Sequence, residues 1–407
     1  MPRAKRVEIE EQDITGLKYF RQIGSLLQTL HDVGCERDRA GNRSLLMDQY
    51  CSLMLLYLFN PIVTSLRGLQ EASELKKVQK KLNCPRTSLG SLSESVAVFD
   101  SERLKPIIAA LGDKLAPIAK DSRLQDIKHT LTLVDGTVIS ALPRIAMACF
   151  PDAQSSNGGL MNWTLHTHFE VDRHVPTRMD ITPTAGGKYD ERAVMERVVE
   201  SDRTYVMDRG YAKFELFNRI VDAGSSYVCR IRNNSVYDVV SQRELSDADQ
   251  AAHVLCDEII QLGSGSAKSK PNHRLRLIQI KMAPHQKRTR YGGKKTGPSC
   301  DGILRIVTNL TDVPAEIIAL MYRYRWTIEI FFRFFKHMLG CRHLLSHSQN
   351  GIEIQTYCAI IASMLISLWT GRKPTLRTYE MICWYFTGMC DEEELLSHIS
   401  KLKKQND

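Results

Sequence analysis

"HTLTLVDGTVISAL" (residues 129–142) is an apolar, β-branched run bounded by turn signals, the pattern of a strand buried in a sheet. On its C-terminal side, "WTLHTHFEVD" (163–172) and "PTRMDITP" (176–183) alternate as a half-buried strand pair would. "DERAVMERVVESD" (190–202) reads as a helix, and "RTYVMDRG" (203–210) as a short strand ending in Asp. "YAKFELFNRIVDAG" (211–224) is a second helix, closed by Gly224, and "SSYVCRIR" (225–232) is again a strand. Strand, strand, strand, helix, strand, helix, strand is a mixed α/β layout.

On the N-terminal side the texture is helical. "LKYFRQIGSLLQTLHDVG" (17–34) and "SLLMDQYCSLMLLYLFNP" (44–61) carry apolar residues at three- and four-residue spacing. Shorter helical segments follow between 64 and 120, punctuated by Pro, Gly and Asp or Ser caps. Their basic residues Arg67, Lys76, Lys77, Lys80, Lys81 and Arg86 suit a helix-turn-helix DNA-binding arrangement, and suit equally a helical bundle with a wet lysine face. Beyond residue 233 the α/β rhythm stops. Short β-like pieces such as "HRLRLIQIKM" (273–282) and a Gly/Ser stretch predict a β-rich insertion over 234–300. "GILRIVTNL" (302–310) returns as a strand, "VPAEIIALMYRYRWTIEIFFRFFKHML" (313–339) as one long helix with Pro in its first turn, and "EIQTYCAIIASMLISLWTG" (353–371) as a last apolar helix. The expected division is 1–125, helical and DNA-binding; 126–233, first part of the core; 234–300, basic insertion; 301–372, second part of the core; and 373–407, helical tail.

At 407 residues, with 43% apolar and 25% charged side chains, the chain can build a sizeable core, which excludes wholesale disorder. No continuous apolar run reaches the roughly 18–20 residues of a membrane span, and the charged start "MPRAKRVEIEEQD" lacks a signal-peptide core, so no membrane is expected and the cytoplasm is the default. The 11 cysteines show no C-x2-C pair and read as free thiols in a reducing compartment. The net charge of +9 is local: residues 261–300 hold ten Lys or Arg, among them Lys287, Arg288, Arg290, Lys294 and Lys295, and no Asp or Glu. Such a run is either a solvated loop or the footprint of a polyanion, most simply nucleic acid.

Three carboxylates stand out by position: Asp135 inside the first strand, Asp208 at the end of a later one, and Glu329 within the long helix. Taken singly, each Asp also fits the ordinary role of a turn or cap residue. Together they would make an oxygen-donor site suited to Mg²⁺ or Mn²⁺. Two such ions, about 3.5–4 Å apart, activate a nucleophile and stabilise the leaving oxygen of a phosphodiester. Tyr322, Arg325, Glu329 and Lys336 fall within an arc of roughly 60° on one helix face, with Arg333 close by. Cations and a phenol beside a carboxylate favour phosphate, although an amphipathic helix with i, i+4 ion pairs has the same spacing.

"LVDGTVI", "YVMDRGY" and "YRYRWTIEIFFRFFKHMLG" resemble the three blocks of DDE transposases from bacterial insertion sequences, specifically the insertion-sequence-four branch with its Tyr–Arg–Glu–Lys signature. The resemblance spans about residues 129–370, and the intervals of 73 residues from Asp135 to Asp208 and 121 from Asp208 to Glu329 fit it, the second leaving room for a β-rich interruption. The resemblance implies an RNase H-like core in which Asp135, Asp208 and Glu329 bind two divalent ions. It implies that Tyr322, Arg325 and Lys336 meet transposon-end phosphates, with Arg209 a further DNA contact. The implied substrates are the terminal inverted repeats and target DNA, cut hydrolytically and then joined by the freed 3′-hydroxyl, with a homodimer when DNA is bound, at the bacterial nucleoid. A non-catalytic DNA-binding regulator and a nuclease without strand transfer are the alternatives. One departure concerns hairpin excision, in which some relatives use an aromatic residue of the insertion to hold a flipped base. Trp163, Trp326, Trp369 and Trp384 all lie outside 234–300, where only Tyr237 and Tyr291 are aromatic.

Other patterns carry less. His337, Cys341, His343 and His347 match no common zinc spacing and read as polar residues at a helix end. His166 and His168 are expected to face DNA or solvent. "GSGSAKS" (263–269) lacks the order of a phosphate loop. "DEEELLSHISKLKKQND" (391–407) reads as a charged terminal helix.

Overall fold

The computed structural model describes residues 24, 26–32, 35–39, 41–117, 121–140, 162–184, 186–263, 270–282, 301–340, 344–346 and 348–404. The basic residues Lys287, Arg288, Arg290, Lys294 and Lys295, together with Tyr291, Cys341, His343, His347 and most of the 17–34 segment, lie outside them.

Among the described residues, the N-terminal region contains α1 (Met47–Phe59), α2 (Leu66–Glu74), α3 (Lys76–Leu82), α4 (Leu89–Val98) and α5 (Lys105–Lys114). The side-chain oxygens of Ser65 and Ser88 cap α2 and α4 by accepting from the N–H groups of Gly68 and Ser91, each at 3.1 Å. Helix α1 is buried nearly all round, as a helix without a polar face must be.

The core then runs β1 (Thr130–Ser140), β2 (Asn162–Glu170), β3 (Val175–Pro183), α6 (Glu191–Arg197), β4 (Arg203–Met207), α7 (Phe214–Asp222) and β5 (Ser226–Arg230). Strand β1 pairs antiparallel with β2 and parallel with β4, and β4 pairs parallel with β5. Gly224, at φ +73°, ends α7 in the left-handed conformation that glycine adopts without strain. The 234–300 stretch supplies β6 (Tyr237–Gln242), α8 (Asp247–Ala251), β7 (Val254–Leu262) and β8 (Leu275–Lys281), and these strands continue the same sheet through β9 (Ile303–Thr308). The resulting nine-stranded mixed sheet has the order β3-β2-β1-β4-β5-β9-β8-β7-β6, an RNase H-like arrangement lengthened on one side.

Residues 315–340 correct the expectation of one long helix. They form α9 (Ala315–Tyr324) and α10 (Trp326–Gly340), divided at Arg325. The i to i+3 bonds Arg325 N–H to Tyr322 carbonyl (3.0 Å) and Ile328 N–H to Arg325 carbonyl (3.2 Å) tighten the chain there. Ile328, Phe331, Phe332, Phe334 and Phe335 of α10 are all buried. Then come α11 (Gln349–Thr370), α12 (Leu376–Phe386) and α13 (Glu392–Lys404). Among the described residues α11 is the one helix long and apolar enough to cross a membrane, but 83% of its most apolar window is buried within the protein, where it serves as the spine between α1, α5 and β3.

Side-chain alternation along the strands divides the core in two. Leu131 and Leu133 face the helical side with α1, α10 and α11, whereas Val134, Tyr205 and Met207 face α6 and α7. The same alternation corrects the reading of His166 and His168. Strand β2 lies inside the sheet with both faces covered, and these rings are only 6% and 4% exposed. Burial depresses them to about 4 and about 3, with Arg178 and Arg203 adding to the effect at His168 and Asp180 opposing it. In the unfolded chain the same rings take up protons near pH 6.5, so the stability is full above that pH and is lost as the pH falls toward the folded values. Acidification from pH 7 to 5 is expected to cost about 2 kcal/mol for each ring. Urea denaturation of His168→Gln across that range should show a shallower loss than the parent chain, and an unchanged slope would contradict the assignment.

Candidate active site

The parallel register of β1 and β4 pairs Val134 with Met207, so the next residues, Asp135 within β1 and Asp208 just past β4, stand side by side at the C-terminal edge of β4. The β4–β5 register pairs Met207 with Cys229, which puts Arg230 beside Asp208 in turn. This is the edge at which open α/β sheets bind ligands. Tyr322, in the last turn of α9, donates its phenol proton to Asp208 Oδ1 at 3.1 Å, and Arg230 Nη1 lies 3.8 Å from the same oxygen.

Arg325, at the break between α9 and α10, ties the set together. Its Nη2 lies 2.7 Å from Glu329 Oε1 and its Nη1 3.6 Å from Asp135 Oδ2, while the guanidinium stands 5.8 Å from the Tyr322 ring. Its Nε is buried with no acceptor among the described residues. An orphaned donor of this kind costs about 1–3 kcal/mol, which an incoming anionic oxygen would offset. Asp135 is desolvated, and burial pushes its carboxyl up to about 6. The Gly136 N–H (2.9 Å) and Arg325 oppose this shift, whereas Glu191 and Glu329 add to it. Burial, reinforced by Asp208, likewise pushes the Tyr322 phenol upward, so Tyr322 stays a donor.

The structure thus brings together Asp135, Asp208, Tyr322, Arg325 and Glu329. It does not bring in Lys336, which stands exposed two turns beyond Glu329, nor Arg209, which is exposed beside Asp208. Arg333 is exposed as well, with its guanidinium 5.7 Å from the ring of Trp326, itself 53% exposed. An open cavity of about 770 Å³ adjoins the site, lined in part by Arg123, Arg230, Tyr322, Arg323, Arg325 and Trp326. Two residues escaped the sequence reading, Arg230 and Glu191. The Arg that closes "SSYVCR" could have been found by aligning the ends of adjacent parallel strands. Nothing in the spacing marks Glu191.

The donor set suits hard cations, being carboxylate oxygens alone. Gly136 also leaves a cradle beside Asp135 that a Cβ would fill, 2.2 Å from Glu191 Oε1. Among the described residues no three carboxylate, imidazole or thiolate groups stand close enough to grip one ion, and the Arg325 guanidinium stands between Asp135 and Glu329.

Two carboxylates side by side on adjacent parallel strands of an RNase H-like sheet, with a third on a helix packed against it, define a class of metal-assisted phosphodiester enzymes. Residues 126–365 match the family described as Transposase DDE domain, and the chain belongs to that family, whose members work with divalent metal ions. The chain is 28% identical over 214 residues to y4zB of Sinorhizobium fredii, which is described as a transposase; the match covers 52% of this chain and 55% of that protein. It is 29% identical over 203 residues (50% and 48%) to a Geobacillus stearothermophilus protein named as the transposase of insertion sequence element IS5377. A Synechocystis protein named for insertion sequence element IS4SA is 26% identical over 171 residues, 40% of each chain. The chain spans about half the length of the curated relatives it matches.

Proposed function

We propose that this chain is a transposase of the insertion-sequence-four branch, which binds the terminal inverted repeats of its element, cuts them and joins the freed 3′ ends to target DNA. Asp135, Asp208 and Glu329 would be the catalytic residues and would hold two Mg²⁺ or Mn²⁺ ions. When bound, these ions lower the pKa of a coordinated water and offset charge on the leaving oxygen. The observation that carries the reading is a shared position: Asp135, within β1, and Asp208, just past the end of β4, stand side by side on neighbouring parallel strands, and Glu329 is linked to Asp135 through one guanidinium.

The other residues have supporting roles. Tyr322 donates to Asp208 and fixes the orientation of that carboxylate. Arg325 is bound to two carboxylates and keeps one donor unused, so it can take a phosphate oxygen without leaving the site. Arg230, Arg323 and Arg123 on the cavity wall would meet a DNA backbone lying there, and the exposed Arg209, Arg333 and Lys336 would add positive charge along its path. The basic run with Lys287, Arg288, Arg290, Lys294 and Lys295 would add to that charge, and the α3 lysines would contact the repeat outside the cut. Acting on two ends, the protein would work as a homodimer on DNA, at the nucleoid.

Arg325→Lys retains the charge but loses the fork that spans two carboxylates. It is expected to weaken binding to a repeat-bearing duplex and to lower the salt slope of that binding by about one. Fluorescence anisotropy at several salt concentrations measures both, and an unchanged slope would remove Arg325 from the phosphate contacts.

A further inference from the structure

Helix α6 begins with two acidic residues whose surroundings differ. Asp190 is neutralised locally by Arg192, with Nε to Oδ1 at 2.8 Å and Nη2 to Oδ2 at 3.0 Å. Glu191 is half-buried, and no hydrogen bond or ion pair from the described residues reaches its carboxylate. That carboxylate lies over Gly136: a Cβ there would stand 2.2 Å from Oε1 and 2.8 Å from Cδ. Gly136 sits in β1, and its φ is not positive, so the backbone does not demand glycine. The absence of a side chain serves the approach of the carboxylate.

The Gly136 N–H donates to Asp135 Oδ1, so the Asp135 and Glu191 carboxylates flank a single residue. Burial pushes the Tyr211 phenol upward, and the fields of Glu191, Asp135, Asp190 and Asp208 add to the shift, so all four carboxylates bear on this one ring. Each of the other site carboxylates has a donor partner: Arg325 serves Asp135 and Glu329, and Tyr322 and Arg230 serve Asp208. Glu191 is desolvated beside like charge, and only the field of Arg192, a side chain already committed to Asp190, offsets that cost.

We propose that Glu191 is a fourth acidic residue of the cation-binding set, joining Asp135 and Asp208 from the α6 side of β1. This rests on the reading of Asp135 and Asp208 as cation-binding residues, and supplies the negative charge that a divalent ion beside Gly136 requires.

The test is calorimetric titration of the full chain with Mn²⁺, for the parent, Glu191→Gln and Asp135→Asn, with thermal melts in the absence and presence of Mn²⁺. Glu191→Gln keeps the shape and removes the charge. It should weaken Mn²⁺ binding about tenfold or more. Without metal it should melt at the parent temperature or higher, because repulsion is relieved, and it should gain less on adding Mn²⁺. Parent-like binding by Glu191→Gln alongside weakened binding by Asp135→Asn would overturn the role of Glu191 and leave the Asp135 and Asp208 reading standing. Parent-like binding by both variants, or none by the parent, would overturn both. A metal-free melt lowered by Glu191→Gln would make Glu191 a packing residue and likewise overturn the proposal.

Discussion

Glu329→Gln is expected to bind a repeat-bearing duplex within a few-fold of the parent and to cut it at least about a thousandfold more slowly. The substitution removes one charge from the donor set and preserves the shape of the side chain. The amide oxygen that replaces the carboxylate can still accept from Arg325 Nη2, the 2.7 Å contact that holds Glu329 toward Asp135, so α10 and its buried phenylalanines should stay in place. On the proposed reading, what is lost is a ligand to a cation that would contribute several kcal/mol of transition-state stabilisation, and each 1.36 kcal/mol is worth about a factor of ten in rate. Single-turnover cleavage and anisotropy binding on the same duplex separate the two effects. Cleavage within tenfold of the parent rate would remove Glu329 from the catalytic set.

The second large effect concerns what holds the lengthened sheet to the site. Arg276 on β8 is 1% exposed and grips Asp257 on β7, 4% exposed, with Nε to Oδ1 and Nη2 to Oδ2 both at 2.6 Å. Its Nη1 donates to the carbonyls of Leu310 (3.1 Å) and Val313, in the turn that leads into α9 and Tyr322. Arg276→Met leaves Asp257 buried with only Arg243, 3.6 Å away, and leaves two carbonyls without that donor. A loss of about 3–5 kcal/mol is expected, the usual cost of stranding one member of a buried pair. Arg276→Met combined with Asp257→Leu should recover much of it, since no charge is then stranded. Urea midpoints for the two singles and the double close the cycle. A double variant no better than Arg276→Met would show that the carbonyl contacts, rather than the ion pair, carry the stability.

Much of the core was legible because strands and strand ends announce themselves. The β-branched run around Asp135 and the Asp that closes "RTYVMD" located two carboxylates, and parallel pairing of β1 with β4 needed no further information to set them side by side. The i, i+4 spacing of Arg325 and Glu329 likewise survived the break between α9 and α10, because the pair lies across one helical turn. The break itself was hidden. Residues 315–339 hold no Pro or Gly that would mark a break, and tertiary packing decides where two i to i+3 bonds replace the regular ladder. His166 and His168 were misread because alternation alone cannot tell a strand with one wet face from a central strand covered on both. Glu191 was invisible for a different reason: its significance lies in its approach to Gly136, far earlier in the chain, and no local pattern records such an approach.

The central claim is that this edge of the sheet cuts DNA at the ends of an insertion element. The most direct measurement takes duplexes from the flanks of the gene, carrying its inverted repeat, and incubates them with the full chain in Mg²⁺, Mn²⁺ or chelator, beside Asp208→Asn. The 3′ and 5′ ends are mapped at nucleotide resolution, and joined products are scored on a second DNA. Metal-dependent cuts at the repeat boundary are expected, with free 3′-hydroxyl ends that become joined, all lost in Asp208→Asn. Binding to the repeat without any cut, or cuts that ignore the repeat and never join, would contradict it.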